Sequence, residues 1–200
     1  MQRIIANEIK TLFAESDTEN AFHSARQKQL PVLIDFWAPE CKGCKKMEIT
    51  TYQNANTLSY IDKHFVFVKY NITNRNVPKI TSSPILWTPT FIVFANDGSE
   101  IRKTIGYLND TQFQAEMEMG RALAFLRKAQ PEVALEILKK FIKDNVVVTA
   151  LPEALYWAGI ASYFLNKRDM ESLVPYWEEL INIYPESIWA DRADCLHVNL

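Results

Sequence analysis

The sequence predicts an α/β domain over residues 1–109 followed by an all-α region over residues 110–200. Three observations carry this. The apolar run Val32-Leu33-Ile34 leads through Asp35-Phe36-Trp37 into a Cys-x-x-Cys pair, Cys41 and Cys44, at the start of a helix-like segment. Further β-branched and aromatic runs follow at 65–70 and 91–94. Beyond about residue 110 strand signals vanish and amphipathic helical patterns take over.

The first helix is expected over 18–29, with Thr18 as its cap and Ala21, Phe22 and Ala25 as its inner stripe, ended by Pro31. The run 31–37 is nearly continuous in apolar residues, as a central strand covered on both faces requires. A single long helix is expected over 42–62, with Met47, Leu58 and Ile61 inward. A loop over 71–83 carries a short helical turn near Val77–Ile80. Trp87-Thr88-Pro89-Thr90 then enters the 91–94 strand. Asn96-Asp97-Gly98 reads as a hairpin turn, because such residues accept positive φ. The strand 100–105 returns, and Gly106 interrupts it.

The helical region contains an internal repeat. Ala115, Gly120, Ala122, Phe125, Leu126 and Lys128 recur 39 residues later as Ala154, Gly159, Ala161, Phe164, Leu165 and Lys167. Pro131 and Asp169 open the second helix of each copy, Asn145–Leu151 links the copies, and a capping helix follows Pro185 over about 186–197. The small residues of each first helix are expected to admit the second helix closely. A helix over 109–129 is shared by the two regions.

The 200 residues carry a net charge of −2, with 48% hydrophobic and 23% charged residues. That balance excludes non-specific nucleic-acid binding and attraction to acidic membranes. No apolar run reaches transmembrane length. Three cysteines do not make a secreted disulfide framework, and residues 1–20 show no signal-peptide pattern, so a cytoplasmic location is expected.

A thiol at a helix N-terminus meets unpaired N–H groups and the positive end of the helix dipole, so its thiolate is favoured relative to an ordinary value of about 8.5. Lys42 adds to this and Glu40 opposes it. Cys44 lies one turn on, close enough to close a disulfide. The competing readings are inert structural cysteines or half a zinc site. Zinc needs four ligands, whereas Cys195, His23, His64 and His197 show no partner spacing, and no metal is expected.

The first region resembles the thioredoxin family over about residues 15–118. The matching motifs are Asp35-Phe36-Trp37-Ala38, then Cys41-Lys42-Gly43-Cys44-Lys45, then Val68-Lys69-Tyr70-Asn71, Thr88-Pro89-Thr90 and Gly106, in the family's order. Glu40 stands where the family usually has Trp, and Lys42-Gly43 where it has Gly-Pro, a variant closer to a bacterial thioredoxin-like subgroup. The resemblance implies a thioredoxin fold, a central mixed sheet flanked by helices. It also implies a thiol–disulfide oxidoreductase that needs no cofactor beyond the Cys41–Cys44 disulfide.

In that family Cys41 would be the exposed nucleophile and Cys44 the buried resolving thiol. Asp35, buried in an apolar strand that favours the protonated carboxyl, would accept the Cys44 proton, with Lys69 beside it. Pro89 would be cis, and Thr88 would offer backbone groups to an extended substrate, with Lys42, Gly43 and Trp87 lining its path. Trp37 is expected to be a packing residue. With Lys42-Gly43 the couple should be more oxidising than thioredoxin, roughly −200 to −250 mV against about −270 mV.

The 110–200 region resembles tetratricopeptide repeats in Leu155-Tyr156-Trp157-Ala158-Gly159 and Pro185, with a longer period. Its aromatic set, Tyr156, Trp157, Tyr163, Phe164, Tyr176, Trp177, Tyr184 and Trp189, is expected to be mostly helix–helix core. Expected partners are protein disulfide substrates, a reductant, and a peptide or protein on the helical tail. An alternative of a different class is a non-catalytic adaptor in which the tail binds a partner. Cys195 is expected to be a small buried hydrophobe.

Overall fold

The computed structural model describes residues 9–10, 12–74, 80–81, 84–144 and 148–197. The turn expected near Val77–Ile80 and the start of the 145–151 link lie largely outside the described residues. The chain divides into two compact units, Met1–Gly120 and Arg121–Leu200.

The first unit is built on a mixed sheet of β1 (Leu12–Ala14), β2 (Val32–Trp37), β3 (Val66–Asn71), β4 (Thr90–Phe94) and β5 (Glu100–Ile105). The strand order is β1-β3-β2-β4-β5; β3 runs parallel to β1 and β2, and β4 runs antiparallel to β2 and β5. β1 has no counterpart among the expected strands. Its three residues are too few to show alternation, and pairing with β3 makes it a strand.

Successive side chains of a strand point to opposite faces, and that alternation sorts the core into two layers. One face carries Val32, Ile34, Phe36, Val66, Val68, Ile92 and Phe94 with Ala21 and Ala25 of α1 (Thr18–Lys28). The other carries Leu33, Phe67, Phe91 and Val93 with Met47, Tyr52, Leu58, Ile61 and Phe113. Asp35 and Lys69 share the parity of this second face, and the register places them opposite each other on β2 and β3. One carboxylate and one amine therefore project into the layer that holds the cysteine helix.

Thr18 is not the cap of α1. Asp17 holds that position without a side-chain cap, and the Thr18 hydroxyl donates to the Glu15 carbonyl. The helix ends at Gln29, in the left-handed region, before Pro31 is reached. The expected 42–62 helix is two: α2 (Lys42–Ile49) and α3 (Ala55–His64), separated by a 3₁₀ turn at Thr51–Gln53. Polar side chains offer the backbone other partners at this break. The Thr50 hydroxyl donates to the Lys46 carbonyl, the Thr51 hydroxyl to the Leu108 carbonyl, and the Asn54 carboxamide caps α3 at the Asn56 N–H. The 96–98 turn is as expected, with Gly98 at φ 92°.

Helix α4 (Asp110–Arg127) spans the division between the units. Gly120 does not admit another helix: a Cβ there would lie 2.7 Å from Val93 Cγ2 of β4.

The second unit contains α5 (Pro131–Asp144), α6 (Leu151–Leu165), α7 (Val174–Ile183) and α8 (Ile188–Ala193). Each packs on the next. Gly159 behaves as expected: a Cβ there would sit 2.6 Å from the Trp177 ring. Tyr156 stacks on Trp177 at 5.0 Å, and Trp177 donates its ring N–H to the Tyr156 carbonyl. Phe164 is about half exposed and leaves the aromatic core. Cys195 is exposed, not buried, because it follows the short α8 on a polar turn. Among the described residues no helix is long and apolar enough to cross a membrane.

Candidate active site

Cys41 occupies the N-cap of α2 in extended backbone, and its Sγ accepts the Cys44 N–H at 3.0 Å. One of the orphan donors of the first turn is thus aimed at the outer sulfur, where it favours negative charge on reduction. Cys41 and Cys44 are joined by a disulfide with Cα atoms 5.2 Å apart. Cys41 is half-buried and Cys44 is buried. Among the described residues Glu40 makes a long exposed pair with Lys45, at 3.8 Å. A pair of that kind is too weakly held to oppose the helix end strongly.

The Thr88–Pro89 peptide is cis. A Cβ on Gly43 would lie 2.7 Å from Pro89 Cδ and 3.9 Å from the Thr88 carbonyl oxygen. Glycine at 43 is therefore what lets the cysteine helix meet this loop. The loop is tied behind by the Thr90 hydroxyl to the Trp87 carbonyl, 2.8 Å, and by the Gly106 N–H to the Pro89 carbonyl, 2.8 Å. Trp87 is 66% exposed and Leu86 is 85% exposed, so the loop presents apolar surface to solvent. Lys42 is exposed on the same turn.

Behind the disulfide lies a cavity of about 390 Å³ lined by Trp37, Ala38, Pro39, Cys44, Lys45, Glu48 and Lys69. Trp37 is a wall of this cavity as well as a packing residue. Lys69 is neither a surface strand lysine nor paired to Asp35 alone. Its Nζ donates to Asp35 Oδ2 and to Glu48 Oε1, both at 2.7 Å. Tyr52 donates its hydroxyl to the same Asp35 oxygen at 2.9 Å. Asp35 is 1% exposed. Burial works against the Lys69 ammonium, and the charges of Asp35 and Glu48 outweigh it, holding Lys69 above its ordinary value. Burial first, and the Asp35 charge second, push the Tyr52 phenol well above its ordinary value, so Tyr52 acts only as a donor.

The fold brings Cys41, Cys44, Asp35 and Lys69 into one neighbourhood, with Gly43, Thr88, Pro89 and Trp87 at the outer rim. Sequence reasoning missed Glu48 and Tyr52. Glu48 had a signal: it lies four residues after Cys44 on the same helix, hence on the same face. Tyr52 had none, because it arrives through the break after α2. Among the described residues no group of three or more His, Cys, Asp or Glu is placed to hold a metal.

The thioredoxin-like domain profile matches residues 18–121 of this sequence. The chain belongs to this family. A thioredoxin of Alicyclobacillus acidocaldarius subsp. acidocaldarius is 34% identical over 101 residues, 50% of this chain and 90% of that protein. A thiol:disulfide interchange protein DsbD of Pectobacterium atrosepticum is 26% identical over 92 residues, 44% of this chain and only 16% of that protein. The oxidised C-terminal domain of Neisseria meningitidis DsbD is similar at 24% identity and a TM-score of 0.47, covering 55% of this chain and 99% of that one. This thioredoxin-like protein is a thiol–disulfide oxidoreductase, and its redox-active centre is the Cys41–Cys44 disulfide.

Proposed function

We propose that the protein exchanges disulfides with extended protein substrates, Cys41 attacking and Cys44 resolving. The observation that carries this reading is the asymmetry of the couple: Cys41 is accessible and capped by an N–H, and Cys44 is buried above a charged cavity. Reduced Cys41 attacks a substrate sulfur, and the first substrate thiolate leaves and takes a proton from water. Cys44 then loses its proton to Asp35 and attacks Cys41 Sγ, releasing the second substrate thiol. The dithiol is oxidised by two electrons and the substrate disulfide is reduced to two thiols. Lys69 holds Asp35 in place. Thr88 and Pro89 receive the substrate backbone, and Lys42, Gly43 and Trp87 line its path.

Insulin reduction driven by dithiothreitol tests the reading. The wild-type chain should accelerate turbidity, and Cys44→Ser should accumulate a Cys41–insulin mixed disulfide. A Cys44→Ser chain that traps nothing would refute the assignment of roles.

The tail is proposed to be a tetratricopeptide-like partner-binding region. The support is the recurring helix pattern and a cavity of about 260 Å³ lined by Leu126, Ala129, Pro131, Phe164 and Arg168. Phe164→Glu should abolish peptide capture from a displayed library while leaving insulin reduction unchanged. A cytoplasmic location is proposed on the exposed free thiol of Cys195, which suits a reducing compartment. Alkylation of living cells should find Cys195 reduced.

A further inference from the structure

Asp35 Oδ2 takes two donors, Tyr52 at 2.9 Å and Lys69 at 2.7 Å. Asp35 Oδ1 is buried and, among the described residues, has no hydrogen-bond partner. A lysine facing a single carboxylate is free to bridge both of its oxygens. Here Glu48 engages the same Nζ, also at 2.7 Å. The ammonium is suspended between Asp35 Oδ2 and Glu48 Oε1, and Oδ1 is left open. The set is also unbalanced, with two carboxylates and one ammonium. Side chains of the three are 2%, 13% and 19% exposed, so water does little to screen them.

We propose that Glu48 is a positioning residue for disulfide exchange: it divides the Lys69 ammonium between two carboxylates, which keeps Asp35 Oδ1 open to the proton of Cys44. This rests on the reading that Cys44 resolves the mixed disulfide. In that step the Cys44 S–H proton passes to Asp35 Oδ1, the new bond forms between Cys44 Sγ and Cys41 Sγ, and the Cys41–substrate bond breaks. The substrate thiolate leaves with the electron pair and is protonated by water. Without Glu48 the whole ammonium bears on Asp35, and a carboxylate beside an undivided positive charge accepts a proton less readily. The charged and titratable groups around this step are Asp35 on β2, Lys69 on β3, Cys44, Lys45 and Glu48 on α2, and Tyr52 on the following turn.

The test uses the full-length protein. Pre-reduced protein is mixed with insulin, quenched with acid at intervals, and the lifetime of the Cys41–insulin disulfide is measured from about pH 5 to 9. Glu48→Gln should move the pH midpoint of resolution down by roughly one unit, and Glu48→Asp should restore most of it. In a Lys69→Met background, adding Glu48→Gln should move the midpoint no further. If Lys69→Met does not unfold cooperatively, Lys69→Gln takes its place. An unmoved or raised midpoint in folded Glu48→Gln would overturn the proposal. An equal shift with and without Lys69 would do so too, because Glu48 would then act on Cys44 directly. Failure of the underlying reading is distinct: Cys44→Ser would then trap no mixed disulfide, whatever Glu48 does.

Discussion

The two sulfurs of the redox couple lie three residues apart and face different chemistry. On the outer side, Cys41 accepts a backbone N–H and is followed by the exposed cation Lys42, and the cis-proline loop that meets the same helix exposes Leu86 and Trp87. On the inner side, Cys44 meets a cavity lined by the charged groups Lys45, Glu48 and Lys69, with Asp35 behind them. The outer surroundings favour a thiolate and admit substrate. The inner surroundings place a buried carboxylate, Asp35, behind the second sulfur. On the proposed roles, attack and resolution would be tuned by different groups, although one helix carries both thiols.

The largest effects are expected at the sulfurs. Cys41→Ser should reduce insulin turnover to background, whereas Cys44→Ser should stop turnover after a single mixed disulfide, seen by mass spectrometry. Asp35→Asn should next separate the two sides. Resolution should slow by about 10²-fold at neutral pH, the usual size of a lost general base, while alkylation of Cys41 changes little. Quench-flow with iodoacetamide as the outer-side control measures both, and equal losses on the two sides would dissolve the distinction.

At the contact between helix and loop, Gly43→Ala adds a Cβ 2.7 Å from Pro89 Cδ. The expected cost is about 1–3 kcal/mol in urea melts, with a several-fold rise in KM for insulin. Trp87→Ala should raise KM two- to five-fold (~0.4–1 kcal/mol) with kcat and stability unchanged, since the ring is 66% exposed. A change in melting temperature would show that Trp87 is structural.

The smallest effect belongs to alkaline pH. Lys69 and Tyr52 both hold their protons above their ordinary values of 10.5 and 10.0 in the folded chain. Above those values the unfolded chain binds fewer protons than the folded one, so stability falls as pH rises. The contribution is complete below about pH 10 and is lost on passing through the folded values. Tyr52→Phe should flatten the alkaline limb of urea stability between about pH 10 and 11, with the neutral value lowered only by the lost hydrogen bond.

How far the sequence was legible depends on the range of the signal. The strand 32–37, the cysteine pair, the 96–98 turn and the Thr88–Pro89 loop are local, and each stands where its residues imply. The proposed cysteine roles and substrate loop rest on motif order, which encodes a fold. What escaped depends on distant partners. β1 is a strand only because β3 lies beside it. The break after Ile49 depends on Thr51 finding the Leu108 carbonyl, 57 residues away. Gly120 and Gly159 occupy equivalent repeat positions, yet one meets Val93 and the other Trp177. Glu48 shares a helix face with Cys44, but nothing local announces the lysine that reaches it from β3.

One feature of the outer side reaches further. The carbonyls of Trp87 and Pro89 are already engaged within the protein, and among the described residues no hydrogen bond engages the Thr88 backbone. On the proposed docking, the Thr88 peptide unit would be the main-chain grip on a substrate, with Lys42 and Trp87 adding only side-chain contacts along its path. Such an oxidoreductase would be a generalist in amino-acid sequence and a strict judge of main-chain chemistry. Methylating one amide nitrogen beside a peptide's disulfide should cost it more turnover than exchanging any neighbouring side chain.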